Sequence, residues 1–300
     1  MKRREFLQRS LVGAAAFSCG WRGPAEAAAG RPRRRAVLKL SSQEGRLPGN
    51  SLREKVLKLE EWGGVGLEIG GAPADRIREI QEALKGTRVR VSALCWGSGN
   101  GDLVALDRER RAKGLAALKQ ALNVAGELAS TGVIFVPCFH GQSDLKPEEL
   151  DKILLDILPE LAEHARKCRT RVLLEPLNKG ETFYLNRLEQ AAAICQRINH
   201  PGLGMMGDFY HMGLEEKSDR EAFVTAGRWL HHVHLASRTR VLPGQDDRCF
   251  VEGFRGLQQI GYRDYCSLEC GIKEGTDPEV EIPKAFRFLE QQWREAALGD

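Results

Sequence analysis

From residue 36 onward the chain repeats one pattern: a short apolar run, then a longer amphipathic stretch. The runs are AVLKLSS (36–42), GVGLEIG (64–70), RVRVSALCW (88–96), GVIFVPCF (132–139), RVLLE (171–175), GLGMMGD (202–208), HHVHLA (231–236) and YCSLE (265–269). None alternates apolar with polar residues as a strand with one wet face would, so each reads as a strand covered on both sides. Such strands, separated by helices, build a parallel sheet wrapped in helices. Eight repeats favour closure into a single (β/α)8 TIM barrel over an open doubly wound sheet.

The stretches between the runs carry helix punctuation. SLREKVLKLEEWG starts at a Ser51 cap and stops at Gly63, and KPEELDKILLDILPELAEHARKC opens with Pro147 in a first helical turn. Pro159 should kink or restart that second helix. GSGNG at 97–101 reads as a mobile loop; its glycine spacing does not fit a dinucleotide-binding turn, and no helix opens directly after it.

The first residues are of another kind. Arg3 and Arg4 precede Phe6 and Leu7, an Ala/Gly-rich LVGAAAF follows, and small residues stand at Ala25 and Ala27. That order is expected of a twin-arginine signal peptide over 1–27, with a basic linker at 28–35 and the barrel at 36–300. It implies a precursor handled by the twin-arginine export machinery, a periplasmic or otherwise exported product, and no stable membrane insertion once the leader is removed. Residues 1–27 hold five basic side chains (Lys2, Arg3, Arg4, Arg9, Arg22) against Glu5 and Glu26, a balance of +3. The formal +4 of the whole chain therefore falls to about +1, and no basic stripe suggests a nucleic-acid partner. The eight cysteines form no CxxC pair and no disulfide framework; Cys95, Cys138 and Cys266 read as small buried hydrophobes.

Catalytic groups of such barrels sit at the C-terminal ends of the strands. Reading the polar residue at each late strand end gives Glu175, Asp208, His234 and Glu269. Three carboxylates converging in a low-dielectric cleft would repel one another and take up protons. A divalent cation removes the conflict, and three oxygens with one nitrogen suit Mn²⁺, Co²⁺ or Mg²⁺. Glu181, His211 and Arg240 lie on the loops leaving these strands, where substrate would rest. His140 and Trp96, after the fourth and third strands, are candidates for the pocket wall or for core or rim packing. His232, one layer below His234, reads as packing or as a group supporting the ligands from behind.

EPLNKGE (175–181), GDFYH (207–211), HVHLASRTR (232–240) and SLE (267–269) together resemble the sugar phosphate isomerase/epimerase family. This is the xylose isomerase-like TIM barrel superfamily, which includes ketose 3-epimerases and hydroxypyruvate isomerases. The resemblance implies that Glu175, Asp208, His234 and Glu269 bind one divalent metal ion. It further implies that Glu175 and Glu269 double as the acid/base pair, and that Glu181, His211 and Arg240 contact a sugar or keto-sugar. The expected reaction is proton abstraction next to a carbonyl through a metal-bound enediolate. Return of the proton to the same carbon with inversion is epimerisation, and return to the adjacent carbon is isomerisation. A 3-keto-glycoside at the same site could instead undergo β-elimination, a lyase outcome. The chain could also form a homo-oligomer.

Two readings from other classes rank lower. A phosphodiesterase resembling the apurinic endonucleases would want more histidines and a basic groove, whereas EIGGAP and CWGSG end the second and third strands and Asp247-Arg248-Cys249 replaces an Asp-x-His. A non-catalytic sugar-binding barrel would have no need of two acid/base glutamates.

Overall fold

The computed structural model describes residues 35–297, so the leader expected at 1–27 and nearly all of the linker lie outside the described residues. Eight parallel strands close into a barrel in sequential order. They are β1 (Lys39–Gln43), β2 (Gly66–Gly70), β3 (Arg90–Gly97), β4 (Val133–Phe135), β5 (Val172–Leu174), β6 (Leu203–Asp208), β7 (Leu230–Leu235) and β8 (Tyr265–Leu268). Around them run α1 (Leu52–Glu61), α2 (Ile77–Leu84), α3 (Arg108–Glu127), α4 (Pro147–Lys167), α5 (Leu188–Ile198), α6 (Phe209–Glu215), α7 (Asp219–Ala226), α8 (Val251–Gln259) and α9 (Pro278–Ala297). None of the described helices is long and apolar enough to cross a membrane.

Side-chain alternation splits the strands between two cores. Val133, Phe135, Val172 and Leu174 join the large cluster shared with the helices. Ala93, Ile134, Leu173 and Met206 form a separate cluster of their own, the apolar filling of the barrel. The same alternation carries Glu175 and Asp208 inward, because they follow Leu173 and Met206 by one full strand period.

Helix starts follow the sequence. The Ser51 hydroxyl accepts from the Glu54 backbone N–H at 3.1 Å, capping α1. One expectation is corrected. Helix α4 does not restart at Pro159 but runs through it as one helix. An interior proline costs about 3 kcal/mol. Here Pro159 sits on the exposed side, while Leu150, Leu154, Leu158, Leu161 and Ala165 are buried along the opposite stripe on both sides of it. GSGNG leads into the 3₁₀ turns of Gly99–Val104, which bury Gly101, Leu103 and Val104. Gly101 holds φ +72°, and a Cβ there would lie 2.9 Å from the Gln142 carbonyl oxygen, so the close turn depends on glycine.

Candidate metal centre and active site

The four strand-end groups meet. Glu175, Asp208, His234 and Glu269 each offer one ligand atom, and these atoms all lie within 4.8 Å of one another. Asp208 and His234 are fully buried and Glu175 is 5% exposed, so these are not ordinary solvated charges. His234 Nδ1 stands 3.2 Å from Glu269 Oε2 and 3.6 Å from Glu175 Oε1. Strand β6 runs directly into α6, and Asp208 Oδ1 caps that helix by accepting from the Tyr210 backbone N–H at 2.8 Å. Asp208 Oδ2 and His234 Nδ1 are left buried with no hydrogen-bond partner among the described residues.

The electrostatics record the same strain. Burial pushes the Asp208 carboxyl up to about 8, and the negative charge of Glu269 adds to the rise. Burial likewise raises Glu175. For Glu269 burial is outweighed by the charge of the adjacent His234, with help from Arg240, and the carboxyl falls to about 2. Burial disfavours a charged His234, yet Glu269 and Glu68 hold its proton well above the usual imidazole range. In the metal-free protein an imidazolium thus supplies the cation the carboxylates require. A divalent ion fits this set better: the two orphaned atoms, Asp208 Oδ2 and His234 Nδ1, are ligand types lying among further carboxylate oxygens.

A second tier of groups joins at the rim. Arg240 Nη1 donates to Glu181 Oε1 at 2.9 Å, and its Nη2 donates to Glu269 Oε2 at 3.3 Å. Its guanidinium lies 4.8 Å from the centre of the Tyr210 ring. Arg240 itself adopts φ +59°, an uncommon conformation for a residue with a side chain. The turn that imposes it is tied by Arg240 N–H to the Ser237 carbonyl at 2.9 Å and by Gly271 N–H to the Arg240 carbonyl at 2.8 Å.

His211 is buried, with Nε2 3.5 Å from Asp208 Oδ2. Asn178 Oδ1 accepts from the Gly180 backbone N–H, which turns its amide nitrogen to Glu181 Oε1 (3.1 Å) and to His211 Nδ1 (2.7 Å). His211 Nδ1 is therefore an acceptor, and the ring proton sits on Nε2. Burial, and then the charge of Arg240, push the imidazole down to about 3, so it stays neutral.

The other two candidates make contacts of their own, and the His140 backbone N–H donates to the Glu181 carbonyl at 2.9 Å. The exposed His140 ring bonds the Lys179 carbonyl through Nε2 at 2.9 Å and faces Phe183. Trp96 tilts against Phe135 at 6.1 Å between ring centres.

Two groups escaped the sequence reading. Glu68, in the middle of β2, is fully buried, and its Oε2 accepts from His232 Nε2 at 2.7 Å and from His234 Nε2 at 2.9 Å. Gln43 Nε2 donates to Glu68 Oε1 at 2.8 Å and to Glu269 Oε1 at 2.9 Å. The available signal was a carboxylate inside the apolar run GVGLEIG, the same conflict that Glu175 presents. His232, expected to pack beneath His234, does so as a hydrogen-bond donor to Glu68.

The pattern of the Xylose isomerase-like TIM barrel matches residues 57–292. The chain belongs to that family. Among curated members it is similar to 3-dehydro-D-guloside 4-epimerase of Escherichia coli (strain K12), with 29% identity over 264 residues, 84% of this chain and 99% of the relative. A Synechocystis protein described as "Probable ketose 3-epimerase" is 27% identical over 218 residues, 70% of this chain and 75% of its own. Among solved structures, apo 3-keto-D-glucoside 4-epimerase from E. coli superposes with a TM-score of 0.77 at 27% identity, covering 85% of this chain and all 100% of the other. Within the xylose isomerase-like family, these homologues are epimerases.

Proposed function

We propose that this protein is a divalent-metal-dependent epimerase of keto-sugars that inverts the carbon next to the carbonyl. The observation that carries the reading is the buried quartet Glu175, Asp208, His234 and Glu269, with two of its atoms lacking any partner. The homologues support the substrate class: a 3-dehydro sugar epimerised at carbon 4 and a ketose epimerised at carbon 3 both undergo inversion beside the oxidised carbon.

Glu175, Asp208, His234 Nδ1 and Glu269 would hold Mn²⁺, Co²⁺ or Mg²⁺. Bound there, the ion would polarise the substrate carbonyl and acidify the neighbouring C–H. Glu175 and Glu269 approach from β5 and β8, on well-separated parts of the barrel wall. One removes the proton to give an enediolate, and the other returns a proton on the opposite face, inverting the carbon. His211 Nε2–H is a fixed neutral donor for a substrate oxygen. Arg240 is held between Glu181 and Glu269, where it can grip a second oxygen and keep Glu269 oriented.

The test is NMR in D₂O of metal-loaded protein with free ketoses and 3-keto-glycosides. The expected result is one deuterium at the carbon beside the carbonyl, together with the epimer. Loss of the aglycone would mark elimination, and deuterium at the adjacent carbon would mark isomerisation. Absence of any exchange in metal-loaded protein would refute the proposal.

The leader-like residues 1–27 support a further proposal of twin-arginine export, so that the substrate is an unphosphorylated sugar or glycoside outside the cytoplasm. Lys-Lys in place of Arg3-Arg4 should trap the precursor inside the cell; normal export of that variant would contradict it.

A further inference from the structure

Glu68 belongs neither to the metal quartet nor to the groups facing substrate, yet its carboxylate bonds Gln43, His232 and His234. We infer that Glu68 is a positioning residue, whose one buried carboxylate sets the ring of His234 directly and the carboxylate of Glu269 through Gln43. The inference rests on the metal-site reading above.

The argument starts from what an ionised carboxylate can do. It only accepts hydrogen bonds, so any imidazole bonded to it must present an N–H. Glu68 Oε2 meets the Nε2 atoms of His232 and His234 at 2.7 and 2.9 Å, which assigns a proton to Nε2 of each ring. For His234 this leaves Nδ1 as the nitrogen able to offer a lone pair, and Nδ1 is the atom facing Glu269 and Glu175. A ring without this anchor could rotate or change tautomer and present N–H to the ion. A carboxylate oriented behind a ligating histidine is a known device for fixing the ring and raising its basicity.

The other oxygen works through an amide. The NH₂ of Gln43 has two hydrogens, and it donates one to Glu68 Oε1 and one to Glu269 Oε1. That fixes the Glu269 carboxylate with Oε2 facing His234 Nδ1 at 3.2 Å and the Arg240 guanidinium at 3.3 Å. One group on β2 thus orders ligands on β7 and β8. A merely structural partner for His232 would need neither the His234 bond nor the Gln43 bridge.

Glu68→Gln tests this with little change of shape. The amide offers one acceptor oxygen and an NH₂, so it cannot accept from both rings and from Gln43 together. Two quantities are read on purified protein: Mn²⁺ affinity by isothermal titration, and the His234 tautomer in the Mg²⁺-loaded state by ¹⁵N–¹H ring correlations. Wild type should show the Nε2–H tautomer. E68Q should bind Mn²⁺ about 10- to 100-fold more weakly, the usual size for removing an outer partner of a metal ligand, and lose the single tautomer. If E68Q fails to fold, Gln43→Leu cuts only the Glu269 arm and should still weaken Mn²⁺ binding by about threefold or more. Unchanged affinity and tautomer in E68Q, or unchanged affinity in Q43L where E68Q does not fold, would overturn the role of Glu68 while leaving the metal site standing. A wild-type protein that takes up no divalent ion would overturn the metal site itself.

Discussion

The inside of the barrel has two unlike parts. Toward β4, β5 and β6 it is filled by Ile134, Leu173 and Met206, with Ala93 from β3, and this part is a dry plug. Toward β7, β8, β1 and β2 the buried residues are His232, His234, Ser267, Ser41 and Glu68. The two parts obey different rules. An apolar plug contributes by volume and tolerates exchange so long as the space is filled. A buried polar set holds only when its members satisfy one another, and each unpartnered atom within it costs free energy. Unpartnered atoms are found here at His234 Nδ1 and at Asp208 Oδ2 on the neighbouring end of β6, and also at His232 Nδ1 and Ser267 Oγ. The plug therefore serves the fold, and under the proposed function the polar part serves a ligand.

The largest effect that would sharpen this contrast is Glu269→Gln. Loss of one acid/base group should lower the rate of α-proton exchange about 10²- to 10⁴-fold, read by NMR in D₂O, with the melting temperature little changed. Ile134→Ala should do the reverse. Truncating a fully buried isoleucine costs about 2–5 kcal/mol of stability in denaturant titration, while activity per folded molecule is kept.

A pH series on Mn²⁺ binding comes next. The ion requires an ionised Asp208 and a neutral His234 Nδ1, whereas the metal-free protein holds protons on both around neutrality, with Asp208 raised to about 8. Affinity should therefore rise with pH by up to about tenfold per unit for each proton displaced, flattening for Asp208 above pH 8. Calorimetry in buffers of different ionisation enthalpy would count the protons, and a pH-independent affinity would break the argument. The smallest effect is Ser41→Ala. It removes a buried hydroxyl bond to Ser92 of 2.8 Å and should cost about 0.5–1.5 kcal/mol.

How much of this could be read from residues alone depended on the range of the interaction. Repeating apolar runs give a barrel because strand burial and helix periodicity are local signals. The quartet was legible because each member ends a strand, where such folds place chemistry. Glu68 was missed because it lies inside its strand and its partners are Gln43, His232 and His234, far along the chain. Its expense as a buried charge was visible, but what offsets it was not. The tie from Asn178 to His211 escaped for the same reason, although Asn178 stands within the quoted EPLNKGE motif. Pro159 misled in the other direction: its backbone cost is local, and the apolar stripe of α4 that overrides it is tertiary.

The central claim is that one divalent ion binds between the ends of β5, β6, β7 and β8. Anomalous diffraction from crystals grown with Mn²⁺ tests it most directly. The account predicts a single strong peak bounded by Glu175, Asp208, His234 Nδ1 and Glu269. A map with no peak there, and those four side chains turned apart or paired with cations of the protein, would contradict it.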